Sequence, residues 1–61
     1  MRIQKKSNEE LWYLTQIGLC TPNPTDKDLD DAEAALKELW LRLNLPKEAT
    51  LADAYNRIYR N

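Results

Sequence analysis

The chain has 61 residues, a formal charge of −1, one cysteine and no histidine. A domain of this size buries only about 60% of its unfolded surface, and a lone thiol without imidazole partners provides neither an internal disulfide nor a structural zinc site. Stability must then come from helix packing or association. With one glycine and abundant Leu, Ala, Glu and Lys, the expected fold class is all-α, a compact three-helix domain.

Charge is unevenly spread: residues 1–20 sum to +1, residues 21–41 to −4 and residues 42–61 to +2. Residues 1–6, with Arg2, Lys5 and Lys6, read as a flexible basic segment preceding one domain over 7–61. No apolar run there has the form of a signal peptide and no stretch approaches a bilayer span, so the expected location is the cytoplasm.

Ser7 and Glu10 have capping-box spacing, which predicts a helix from Asn8 to about Ile17. Leu11, Leu14 and Ile17 should face inward with one of Trp12 or Tyr13. Gly18 is expected to supply a left-handed cap, with Leu19 folding back on Leu14, and Cys20 to be buried just beyond. Pro22 and Pro24 then stiffen the connection.

Thr25 resembles an N-cap for a second helix over 26–44, and the acidic residues from Asp26 onward suit the positive end of the macrodipole. Leu29, Leu36 and Leu43 recur every seventh residue, and Ala32, Leu39 and Trp40 widen that stripe into a core face. Ala34, Leu41 and Leu45 lie roughly 140–180° from Leu36, where a monomer would present polar residues. A second apolar face implies a second partner. Ile3 folding over Leu41 is the intramolecular alternative.

Pro46 should end the second helix. Thr50 and Asp53 form a further capping box for a third helix over 50–60, whose inward stripe is Leu51, Ala54, Tyr55 and Ile58.

Several chemistries fail on their own requirements. Asp26, Asp28 and Asp30 match the first ligand positions of an EF-hand loop, but Asp31 replaces the required glycine and Lys37 the bidentate glutamate. Cys20 has no histidine to activate it, and there is no glycine-rich phosphate loop. No catalytic, metal or cofactor residue is therefore expected, and the chain reads as a non-enzyme.

The expected function is binding another protein, as a regulator, adaptor or inhibitor, with a homodimer through the second face of helix two as one form. The anchors would be Leu41, Ala34 and Leu45 with Trp12, Tyr13 and Tyr59. The alternative is a nucleic-acid-associated regulator contacting phosphate through Arg42, Lys47, Arg57 and Arg60; the acidic middle of the chain disfavours it.

Overall fold

A computed structural model describes residues 3–60. Met1, Arg2 and Asn61 lie outside the described residues, and with them the ends of the expected segment 1–6 and domain 7–61. The chain is a three-helix all-α domain: a short 3-10 turn at Ile3–Lys5, then α1 (Asn8–Cys20), α2 (Asp26–Arg42) and α3 (Leu51–Tyr59).

Each helix opens with a capping box, because a hydroxyl and a carboxylate three residues on satisfy amides that the helix itself leaves without acceptors. Ser7 and Glu10 start α1, Thr25 and Asp28 start α2, and Thr50 and Asp53 start α3. Asp28 thereby spends its carboxylate on the Thr25 amide, 3.1 Å away.

The C-terminal ends differ from expectation. Gly18 is not a cap. It is buried inside α1, which runs three residues past the expected Ile17 and stops at Thr21, held extended as the residue before Pro22. Accordingly Leu19 does not fold back as part of a cap: it is exposed, as is Cys20, whose thiol donates to Gln16 Oε1 at 3.2 Å. The left-handed ending occurs instead on α2, two residues before the expected boundary. Asn44 takes a φ of 53°, and the amides of Asn44 and Leu45 donate to the carbonyls of Leu41 and Trp40. That is a Schellman ending with asparagine in the left-handed position.

α1 and α2 pack antiparallel. Gly18, near the end of α1, lies against Ala32 and Asp28 near the start of α2, while Arg42 at the far end of α2 reaches Asn8 at the start of α1. At Gly18 the helices are so close that an added Cβ would sit 2.2 Å from the Ala32 Cβ. Only small side chains fit such an approach, so Ala32 and Ala35 face α1 together with Leu39. Leu11, Ala35 and Leu39 form the sealed centre, with Ile3, Trp12, Leu14, Trp40, Leu43 and Ile58 packed around it. Thr15 is also fully buried, its hydroxyl donating back to the Leu11 carbonyl at 2.9 Å.

Leu29, Leu51 and Tyr55, expected in the core stripes, remain substantially exposed, at 46%, 37% and 45%. The segment expected to be flexible contributes an ordered turn at residues 3–5. Arg42 gathers it in: Nη2 donates to the carbonyls of Ile3 (3.1 Å) and Gln4 (2.9 Å), Nη1 to the carbonyl of Lys6 and to Asn8 Oδ1, and Nε to Glu38 at 2.9 Å. The planar guanidinium can serve several carbonyls of one turn at once because its donors fan out in a fixed fork.

Candidate interaction surface

The expected anchors do not form one patch. Leu41 is 75% exposed and Ala34 is exposed beside it, on the side of α2 turned away from α1. Leu45 lies past the helix end in the Schellman turn and is half-buried. Tyr13 is 66% exposed on the opposite outer side, turned away from α2, above a groove lined by Lys6, Glu9, Glu10 and Leu14. Ile3 packs on the central cluster, and Leu41 stays open.

Trp12 and Tyr59 belong to a different feature, an aromatic seam between α1 and α3. The Trp12 and Tyr55 rings lie 5.7 Å apart at 57°, and Tyr55 and Tyr59 lie 4.8 Å apart at 38°. These are tilted contacts of the kind that adds to the burial of the rings. Trp12 is thus partly covered, whereas Tyr55 and Tyr59 keep nearly half of their surface in solvent.

Of the four cations considered for phosphate, two are engaged within the chain. Arg42 is committed to the N-terminal turn, and Arg57 Nη1 donates to the Leu43 carbonyl at 3.3 Å. Lys47 borders an apolar groove, and Arg60 sits in the exposed last turn. Among the described residues no group of three or more Cys, Asp or Glu side chains is placed to hold a metal ion.

A further apolar surface runs along the flank of α2. Leu29, Leu36 and Trp40 share one side of the helix, at spacings of seven and four residues, and Leu19 joins them from α1. Two shallow grooves meet at Leu36. One, of about 220 Å³, is lined by Leu19, Leu29, Ala32, Glu33 and Leu36; the other, of about 410 Å³, by Leu36, Lys37, Trp40 and Lys47. The Trp40 indole N–H is satisfied by the Pro46 carbonyl at 3.1 Å, which holds the ring against the turn.

Trp12 and Leu19 are two turns apart on the same face of α1; Trp12 contacts Tyr55 of α3 and is half-buried, whereas Leu19 is exposed. Leu29 and Leu36 were assigned to the core by their heptad spacing, and Leu19 to a cap contact. Leu29 and Leu19 are exposed and Leu36 is half-buried.

Comparison with protein-family models, with curated proteins and with solved structures finds no match to this chain. No helix among the described residues is long and apolar enough to cross a membrane.

Proposed function

We propose that this chain is a small non-enzymatic interaction module that binds protein through the open apolar flank of α2. The observation that carries this is the apolar flank itself: Leu19, Leu29, Leu36 and Trp40 line two adjoining shallow grooves that meet at Leu36. A helix laid along such grooves would bury apolar side chains at i, i+3, i+4 and i+7, the usual mode of helix-in-groove recognition. Leu41 is a secondary contact on the outer side of the same helix. A phosphate-binding role is less well supported, since Arg42 and Arg57 already serve backbone carbonyls of this chain.

Site-specific photo-cross-linking tests the proposal. A photoreactive side chain at position 29 should capture a discrete protein partner, one at position 41 should do so more weakly, and one at the exposed polar position Asn56 should not. Equal capture from all three positions, or none from position 29, would reject the flank as a docking surface.

A further inference from the structure

We propose that the occupant of the α2 flank is a second copy of this chain, the two α2 helices lying antiparallel about a twofold axis level with Ala35. This rests on the flank being the docking surface and adds the partner's identity.

Charge supplies the reason. At about 100° per residue, Asp26, Asp30, Glu33 and Lys37 all lie on the side of α2 that adjoins the Leu29, Leu36 and Trp40 stripe. Along that border the sign changes once, from three acids in the N-terminal half to Lys37, with Lys47 beside Trp40 beyond it. A parallel pair would set acid against acid. An antiparallel pair whose axis passes midway between Glu33 and Lys37 sets Glu33 of each copy against Lys37 of the other, and directs the Asp26 and Asp30 end of each toward the Trp40 and Lys47 end of the other.

Because a twofold interface uses one patch twice, every favourable pair is made twice. The apolar stripe is self-complementary under the same operation, Leu29 and Leu19 of one copy approaching Trp40 of the other across the paired Leu36 side chains. A foreign partner would have to present the same order of apolar and charged groups, which a second copy possesses by symmetry. Asp30 and Lys37 also border the Ala34 and Leu41 side, but that side offers only two apolar side chains on α2, and the nearby Glu38 carboxylate is held by Arg42.

Glu33 and Lys37 suit a test because both are exposed and bonded to each other at 3.2 Å, so changing them leaves the core intact. Sedimentation equilibrium from low micromolar to millimolar should show the wild-type mass rising from 7.2 kDa toward twice that value. Leu29→Glu, Glu33→Lys and Lys37→Glu should each weaken the dimer about tenfold or more while the helical circular dichroism is kept. The decisive arm mixes Glu33→Lys copies with Lys37→Glu copies. One then carries only cations at the axis and the other only anions, and native mass spectrometry should show a mixed dimer where neither variant dimerises alone.

A wild type that stays at 7.2 kDa up to millimolar concentration would overturn the proposal, as would a dimer indifferent to the charge variants and their mixing. A monomeric wild type that still cross-links another protein from position 29 would overturn self-association alone. One that cross-links nothing would remove the interaction module as well.

Discussion

Replacing Gly18 by alanine sets two effects of opposite sign against each other. Inside an α-helix the exchange should stabilise by about 1 kcal/mol, because glycine loses more backbone freedom on folding. At this position the new Cβ would lie 2.2 Å from the Ala32 Cβ and 2.9 Å from the Asp28 carbonyl oxygen. Carbon atoms in contact sit about 3.5–4.0 Å apart, so α1 and α2 would have to separate by about 1.5 Å. Neither obstacle can swing aside: one is a methyl fixed to the α2 backbone and the other is the backbone itself. Separation also loosens the contact at Ala35 and Thr15, both fully buried along the same seam. Overpacking of this kind costs about 1–3 kcal/mol, and here the upper part of that range applies, giving a net loss of about 1–2 kcal/mol after the helix gain.

A domain of this size has about 3–9 kcal/mol in total, so the loss should lower the melting temperature by about 5–15 °C. Urea unfolding followed by far-ultraviolet circular dichroism and by Trp12 and Trp40 fluorescence measures it. Ala32→Gly removes the nearer obstacle, and a double-mutant cycle with Gly18→Ala should give a favourable coupling of about 1 kcal/mol or more. Gly18→Asn separates close approach from a left-handed cap: a cap accepts asparagine, and this seam has no room for it. A Gly18→Ala protein as stable as wild type, or a cycle with no coupling, would refute the close approach of α1 and α2.

Arg42→Lys should cost about 1–2 kcal/mol although it keeps the charge, because an ammonium cannot reach the carbonyls of Ile3, Gln4 and Lys6 together. Hydrogen exchange should show the Lys6 amide losing protection while Leu39 keeps its own, and unchanged protection at Lys6 would remove the role given to Arg42. At Asn44, with its φ of 53°, glycine should equal or exceed asparagine in stability and alanine should cost about 1 kcal/mol; thermal melts of the two variants decide. Leu41→Glu, at a side chain 75% exposed, should shift the unfolding midpoint by less than about 0.5 kcal/mol, and a larger loss would mean that Leu41 is packed.

The starts of the helices were legible in the sequence because capping is settled within four residues. Ser7 with Glu10 and Thr50 with Asp53 announce their helices without reference to the rest of the chain. The C-terminal ends were less legible because one residue type answers two needs. Glycine serves a left-handed cap and a close helix crossing equally well, and only the position of Ala32 decides that Gly18 is the second. The cap role passed to Asn44, one residue ahead of the boundary that Pro46 marks. The flexible reading of the first six residues missed Arg42 because its partners are backbone carbonyls, which no side-chain pattern displays.

The same crossing explains why the apolar flank could not be read from the heptad. Once α1 approaches α2 at Gly18, the residues between them must be small, and Ala32 and Ala35 take the facing positions with Leu39. The larger Leu29 and Leu36 are then turned to the edge of the seam, where Leu29 stays exposed and Leu36 half-buried. α3 instead places Tyr55 against Trp12 of α1. A leucine at heptad spacing therefore reports only that a partner is needed; whether the partner is the same chain depends on where the other helices pack, which the close crossing at Gly18 decides.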